Sequence, residues 1–155
     1  MSDSSQVVIR AARPTDADVI ADYNQRIASE TESMSLKPET VGAGVRAVIA
    51  DPAKGTYFVA EAEGVVIGQL MITHEWSDWR NGDIWWVQSV YVHPEHRKRG
   101  AFKALYRHAE LQAKAAGAVG IRLYVDAENE TAQQAYIRLG MHLGNYRVME
   151  VIFSK

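Results

Sequence analysis

The stretch HPEHRKRGAFKALY, residues 93–106, surrounds one glycine with basic side chains immediately before a helical pattern begins. The apolar residues before it predict a strand that ends at His93-Pro94, because proline cannot continue a central hydrogen-bond ladder. The first N–H groups of a helix have no partner inside the helix and lie at the positive end of its dipole, so they bind phosphate readily. Gly100 permits close approach of the backbone. The basic residues are Arg97, Lys98, Arg99 and Lys103. The stretch therefore predicts a diphosphate-binding loop, with a solvated basic turn as the alternative.

The composition limits the class of protein. The chain has 155 residues, 47% of them hydrophobic, and a formal net charge of −2. These values predict one packed domain over residues 1–155, with residues 1–5 disordered, and argue against a dedicated nucleic-acid binder, which is usually strongly basic. The sequence has no cysteine and no apolar run of about 18 residues, so neither disulfides nor a membrane span is expected. Because no basic segment followed by a long apolar one begins the sequence, we expect a cytoplasmic protein.

Hydrophobic periodicity and turn residues predict a mixed α/β domain. Glu63-Gly64 and Asn81-Gly82 predict hairpin turns, so we expect a three-stranded meander in the middle of the chain. A predicted helix joins the next two strands, which should therefore be parallel neighbours. The predicted strands cover residues 6–12, 56–62, 65–76, 84–92, 120–126 and 147–153, and the predicted helices cover about 16–30, 38–50, 100–116 and 130–139.

Two motifs in this order resemble those of the GNAT superfamily of N-acetyltransferases. The acetyl-coenzyme A loop of that family reads Arg/Gln-x-x-Gly-x-Gly/Ala, and Arg97 and Gly100 match its first two fixed positions. Phe102 stands at the third position, where a small residue is usual. The residues that match a later motif of the family are Asn129, Ala132, Tyr136, Gly140 and Met141. The resemblance implies a central mixed sheet of six to seven strands flanked by about four helices, with two splayed parallel strands at the cofactor site.

The resemblance also implies roles for individual residues. A bulge in the first splayed strand would offer main-chain donors to the pantetheine arm and the acetyl carbonyl. Asn129 would bond the pantetheine amides or cap the following helix. Tyr136 would be the general acid that protonates the departing thiolate, although its place in an i, i+3, i+4, i+7 apolar stripe also suits a core residue. The predicted acetyl-coenzyme A-binding residues are Val90, Tyr91, Val92, Arg97, Lys98, Arg99, Gly100, Ala101, Phe102, Lys103 and Asn129.

The sequence does not identify the general base. Several family members carry a glutamate on the strand before the bulge, but Trp86 and Gln88 occupy that neighbourhood, and neither is a base near neutral pH. An amine that arrives neutral is one alternative; the carboxylate candidates are Glu30, Glu32, Glu75 and Asp83. The tryptophans near the Asn81 turn suit either a cation–π wall or ordinary cross-strand packing. The predicted acceptor-binding residues are Glu30, Glu75, Trp85, Trp86 and Gln88.

Together these patterns predict an N-acetyltransferase that moves an acetyl group from acetyl-coenzyme A to a primary amine of a small molecule. Acetylation of a protein or peptide amine is the alternative reaction, and a catalytically weak acetyl-coenzyme A-binding sensor is the alternative from another class. We expect no metal, because a proline separates His93 from His96 and no third ligand lies nearby. We expect neither a nucleic-acid nor a membrane partner, and the apolar residues 148–153 suit a homodimer.

Overall fold

The computed structural model describes residues 6–153. Residues 1–5, for which the sequence predicts disorder, lie outside the described residues. The chain separates into two compact units, Met1–Tyr124 and Val125–Lys155. None of the helices within the described range is both long enough and apolar enough to cross a membrane.

Over its described residues, the first unit forms a five-stranded open sheet whose strands lie side by side in sequence order. The first four strands pair antiparallel, and the last two pair parallel. The predicted meander and the predicted parallel neighbours are therefore confirmed. The strands are β1 Val7–Ala11, β2 Thr56–Ala62, β3 Val65–Ser77, β4 Gly82–Val92 and β5 Gly120–Leu123, and the helices are α1 Ala17–Glu32, α2 Pro38–Ala50 and α3 Ala101–Ala115.

Local turn chemistry explains why these elements could be predicted closely. Glu63 and Gly64 have φ values of 52° and 79°, and Asn81 has a φ of 52°. Tight hairpin turns need such left-handed residues. Pro38 begins α2, where its fixed φ suits the first helical turn. Each of these signals acts within a few residues, so the sequence alone reports it.

Alternation along the strands directs side chains into two separate cores. On one face, Phe58 of β2 packs in a cluster with Leu105 of α3. On the other face, Val59 packs in a cluster with Ile20 of α1 and Val45 of α2. The sheet is therefore covered by α3 on one side and by α1 and α2 on the other.

The fourth strand carries a bulge, as the family resemblance implied. The register between β3 and β4 shifts between Gln69 and Met71. As a result, Ser89 and Val90 both fall opposite a single residue of β3. Ser89 has a φ of 51°, which is an uncommon value for a residue with a side chain. A bulge of this kind removes backbone groups from the ladder and bends the strand.

The fifth strand is shorter than predicted. Its ladder with β4 ends at the pair Val87 and Leu123, whereas the sequence predicted a strand through residue 126. Beyond this pair β4 continues to Val92 without a β5 partner among the described residues. The bulge of β4, at Ser89 and Val90, begins two residues beyond Val87, and a bulge disrupts the local ladder. The parallel pairing therefore stops where the resemblance implied that two strands part.

The second unit contains one helix in its described part, α4 Glu130–Arg138. The Asn129 side chain caps it, because its Oδ1 accepts the amide N–H of Ala132 at 3.0 Å. Gly140 follows the helix with a φ of 104°. The predicted helix and both of its end signals are confirmed.

The predicted last strand is wrong. Residues 147–153 have no strand assignment in the structure, and Met149 and Phe153 are 95% and 92% exposed. Their apolar character suggested a strand, but a strand also needs a neighbour that takes its N–H and C=O groups. The described part of the chain consequently has five strands, not the six to seven expected, whereas its four α-helices agree with the prediction.

Candidate active site

A groove of about 520 Å³ lies in the first unit, between the end of β4, the start of α3 and the end of α1. Its volume falls within the roughly 300–1,000 Å³ typical of small-molecule sites. The structure brings most of the predicted acetyl-coenzyme A-binding residues of this unit to the groove wall, but not Arg99. Those that line it are Val90, Tyr91, Val92, Arg97, Lys98, Gly100, Ala101, Phe102 and Lys103. The sequence analysis missed three further lining residues, namely Ile27, Thr31 and His96.

Left-handed residues turn the basic loop into the helix. Lys98 has a φ of 66° and Gly100 a φ of 87°. Gly100 is the N-cap of α3, and the amides of the first turn of a helix have no helical acceptor. Successive amides in such turns form concave sites for anions. A Cβ built on Gly100 would meet no atom within 4 Å. The positive φ of the backbone, and not a lack of space, is therefore what favours glycine at this position.

Glu30, near the end of α1, is bound to the groove wall. Its Oε2 accepts the Tyr91 hydroxyl at 2.8 Å, and its Oε1 lies 3.3 Å from the Arg97 guanidinium. The Tyr91 hydrogen bond, and after it the Arg97 bond, holds the pKa of Glu30 below its ordinary value. A carboxylate with a lowered pKa is a poorer proton acceptor, so the geometry favours an anchoring role for Glu30 over a general-base role.

Arg97 is held by the end of the strand that precedes it. Its Nε donates to the carbonyl of Val92 at 2.7 Å. Its guanidinium carbon lies 5.2 Å from the centre of the Tyr91 ring, within the range of a cation–π contact. Together with Glu30, these contacts fix one guanidinium against β4 and leave its charge at the groove wall.

Predicted acceptor-binding residues share another face of the sheet. The Trp86 indole N–H donates to Glu75 at 2.6 Å, and Arg122 lies 3.5 Å from the second oxygen of the same carboxylate. The Trp86 ring lies 4.6 Å from the Tyr124 ring. Gln88 follows Trp86 on the same face, because side chains alternate along a strand. The face thus presents two aromatic rings, which suit a cationic amine, beside a carboxylate that is already paired with Arg122.

Glu75, Trp86 and Gln88 do not line the groove, and three further candidates from the sequence also lie away from it. Trp85 lies on the α3 side of the sheet, where its ring is 5.2 Å from that of His74 and packs against the core. Glu32 is the exposed last residue of α1, and Asp83 lies at the start of β4. None of these three lines the groove.

Sequence reasoning missed a buried polar residue beside the bulge. Gln69 is 0% exposed, and its side-chain nitrogen donates to Asn24 Oδ1 at 2.9 Å and to the Ser89 carbonyl at 3.0 Å. One polar side chain inside the apolar run VVIGQLMI, residues 65–72, is the signal that could have drawn attention to it. Its partners could not have been identified, because Asn24 is 45 positions away.

The second unit holds the remaining predicted residues. Tyr136 is half-buried on α4, and burial raises its pKa above the ordinary value. The phenol therefore stays protonated at neutral pH, as a general acid must, but it is a weaker acid than a free tyrosine. Asn129 is observed in its helix-capping role, and its contact with a pantetheine arm stays a prediction.

No metal ligand set accompanies these side chains. Within residues 6–153, no three or more His, Asp or Glu side chains are grouped so that they could hold a metal ion.

Comparison with known families decides what kind of protein carries this groove. Residues 20–141 match the model of the acetyltransferase (GNAT) family. The chain belongs to this family. The match begins within α1 and includes α2, strands β2 to β5, the basic loop, α3 and α4.

Solved structures resemble this member of the GNAT family over nearly its whole length. A possible acetyltransferase from Clostridium difficile 630 is 39% identical, with 96% of this chain and 99% of that chain covered and a TM-score of 0.88. A ribosomal-protein-alanine N-acetyltransferase from Brucella melitensis biovar Abortus 2308 is 17% identical, with coverage of 96% and 100% and a TM-score of 0.77. An aminoglycoside acetyltransferase from an uncultured soil metagenomic sample is 16% identical, with coverage of 96% and 99% and a TM-score of 0.74. The last two show the fold alone, and their names point to different acceptors. No curated protein matches the sequence.

Proposed function

We propose that this GNAT acetyltransferase uses acetyl-coenzyme A to acetylate the primary amine of a small molecule. The observation that carries the proposal is the groove in which a strand bulge and a basic helix start meet. Coenzyme A is a long ligand with a diphosphate, an amide-bearing pantetheine arm and a thioester. The groove offers groups of matching chemistry, with cationic side chains at one end and strand backbone at the other.

The basic loop suits the diphosphate end of such a ligand. Lys98 and Lys103 line the groove, and the first-turn amides of α3 lie at the positive end of the helix dipole. Charge-assisted hydrogen bonds of this kind are about twice as strong as neutral ones. Arg97 adds charge while it braces the end of β4.

The bulge suits the acyl end. Ser89 and Val90 leave the regular ladder, so their backbone groups are oriented differently from those of the rest of β4. An amine that attacks a thioester generates an oxyanion, and a fixed backbone N–H directed at it lowers the barrier. We assign that donor to the segment Val90–Val92. By its motif we assign Tyr136 the proton that the leaving thiolate must gain.

The acceptor would approach along the face that carries Trp86, Tyr124 and Glu75. Gln88 precedes Val90 by two residues along the strand. A small cationic amine would find there two aromatic rings for a cation–π contact and the Glu75 carboxylate, whose charge it would share with Arg122. A water-linked Glu75 or an amine that arrives neutral would serve deprotonation better than Glu30, whose pKa is lowered by its own contacts.

A catalytically weak acetyl-coenzyme A sensor is a second candidate, because Phe102 lines the groove where the family usually has a small residue. A larger side chain at the diphosphate would hold the ligand in a different pose. Calorimetric titration with coenzyme A, followed by thiol release with an amine panel, separates these functions. The panel contains polyamines, amino acid derivatives, aminoglycosides and short peptides.

Tight binding with turnover of a small amine supports the proposal. Binding without turnover of any amine supports the sensor. Turnover confined to peptides moves the acceptor to the protein class. Absence of coenzyme A binding by the folded wild-type protein would overturn all three.

A further inference from the structure

A chain of hydrogen bonds reaches the bulge of β4 within the first unit. The side-chain nitrogen of Gln69 bridges Asn24 and the Ser89 carbonyl. Asn24 in turn donates to the Tyr57 hydroxyl at 3.1 Å. Four elements contribute to this hydrogen-bond network, which holds Ser89 by its carbonyl.

Stability alone does not explain this hydrogen-bond network. Gln69 is fully buried, and its Oε1 is a buried acceptor without a hydrogen-bond partner among the described residues. An unmet buried acceptor costs folding free energy, and an apolar residue of similar shape often substitutes for a buried polar one at little cost. Ser89 also adopts a left-handed φ of 51°, which a residue with a side chain tolerates only when its surroundings enforce it. A functional demand on the bulge accounts for both costs.

The geometry of one peptide unit connects the hydrogen-bond network to the groove. The carbonyl of Ser89 and the N–H of Val90 belong to the same planar trans peptide, in which the two bonds point in opposite directions. Gln69 therefore sets the direction of the Val90 N–H when it holds the Ser89 carbonyl, and this N–H points away from the Gln69 amide. Val90 lines the groove.

We propose that Gln69 is a positioning residue for acetyl transfer, which orients the Val90 peptide by clamping the Ser89 carbonyl from the neighbouring strand. Asn24 completes the clamp by accepting from the Gln69 amide, and Asn24 is itself bonded to the Tyr57 hydroxyl. The proposal rests on the function proposed above, since it assigns the Val90 N–H to the reacting acyl group.

The test compares Gln69→Met, Tyr57→Phe and the control Val45→Ala with the wild-type protein. Gln69→Met keeps the length of the side chain and removes both of its donors. Tyr57→Phe keeps the aromatic ring and removes the hydroxyl that accepts from Asn24. Val45 is 2% exposed in the core cluster that also contains Tyr57, but it makes none of the side-chain hydrogen bonds of the network, so its truncation lowers stability without removing one of them.

We expect kcat of Gln69→Met to fall about 10–100-fold at a temperature well below its midpoint, since misplacing a catalytic group by about 1 Å costs about that much. Tyr57→Phe should lose several-fold, and Val45→Ala should keep kcat despite a lowered midpoint. Amide exchange measured by NMR should show the Val90 N–H less protected in Gln69→Met than in Val45→Ala. If Gln69→Met does not fold, the kcat and amide exchange of Tyr57→Phe decide the question.

Folded clamp variants with wild-type kcat and wild-type exchange at Val90 would overturn the proposal. Wild-type protein without turnover would instead contradict the proposed function, and Val90 exchange would still show whether Gln69 controls the bulge. If Val45→Ala lost as much kcat as Gln69→Met, lowered stability alone would explain both losses, and a positioning role for Gln69 would be refuted.

Discussion

Replacing Gly100 with alanine separates the stability of the basic loop from its affinity for ligand. Gly100 has a φ of 87°, and an added Cβ would meet no atom within 4 Å. The cost to folding is therefore conformational and should be about 1–2 kcal/mol, the usual penalty for a side chain in the left-handed region. For a chain of this length that penalty corresponds to a fall of about 2–8 °C in the thermal midpoint.

The effect on affinity should be larger than the effect on stability suggests. The added methyl group would occupy space in the groove that the diphosphate needs for contact with the first-turn amides of α3. Loss of one charge-assisted hydrogen bond is worth about 1.5–3 kcal/mol. The Kd for coenzyme A should therefore rise about 10–100-fold in a calorimetric titration of the folded variant.

Gly117→Ala is the matched control. Gly117 has a φ of 81° at the other end of the same helix, a Cβ there also meets no atom within 4 Å, and it does not line the groove. It should lose as much thermal stability as Gly100→Ala and keep wild-type affinity. Equal affinities in the two variants would refute the claim that the backbone at Gly100 approaches the ligand.

Three further predictions address other parts of the chain. Tyr136→Phe should fold, bind coenzyme A and lose about 10²–10⁴-fold in kcat where proton transfer limits the rate. Because burial raises the Tyr136 pKa, the wild-type rate should fall only as pH rises above about 10, the ordinary tyrosine value. A variant with full kcat and a lowered thermal midpoint would show that Tyr136 is a core residue. Glu30→Gln should raise the KM for acetyl-coenzyme A several-fold without removing an ionisation from the pH–rate profile, with Glu32→Gln unchanged as control. Loss of the limb on the acid side of the profile would mean that Glu30 is the base after all. Asp16→Asn should destabilise the protein by roughly 3 kcal/mol because it breaks a mostly buried pair with Arg10; since Arg10 lowers the Asp16 pKa, this stabilisation is complete above the unfolded value of 3.8 and is lost as pH falls through the lower folded value, so the unfolding free energies of variant and wild type should converge only in strong acid.

Much of the fold could be predicted because its signals are local. Asn81-Gly82, Glu63-Gly64 and Pro38 each specify a turn or a helix start within a few residues, and the structure places the corresponding elements where the sequence indicated. Residues 147–153 show the limit of this reasoning. Their apolar side chains carry no information about which strand would receive their backbone hydrogen bonds, and pairing of that kind is a property of the whole sheet.

In the candidate site, too, the features with local signals could be predicted and the contacts between distant residues could not. The basic loop could be found because its charges and its glycine are contiguous in the sequence. The contacts of Glu30 could not, because Glu30 and Arg97 are 67 positions apart and meet only after the sheet has formed. The same holds for Gln69, whose partners lie on α1 and β4. Hydrophobic periodicity predicts that a residue faces the core, but it does not predict which group that residue contacts there.

The basic stretch around Gly100 divides its work between anchoring and binding. The Arg97 guanidinium is already occupied by the Val92 carbonyl, the Tyr91 ring and Glu30, so an incoming phosphate would find its donors partly engaged. Lys98 and Lys103 line the groove from the two sides of Gly100, and no described ion pair involves either of them. Under the proposed function, these two lysines and the helix-start amides therefore meet the diphosphate, while Arg97 keeps the end of β4 in the position from which the loop departs. The run of basic residues, which looks like one feature in the sequence, thus has two roles under the proposed function. Arg97 anchors the loop to β4, and this anchor fixes the position of Lys98 and Lys103 relative to the bulge.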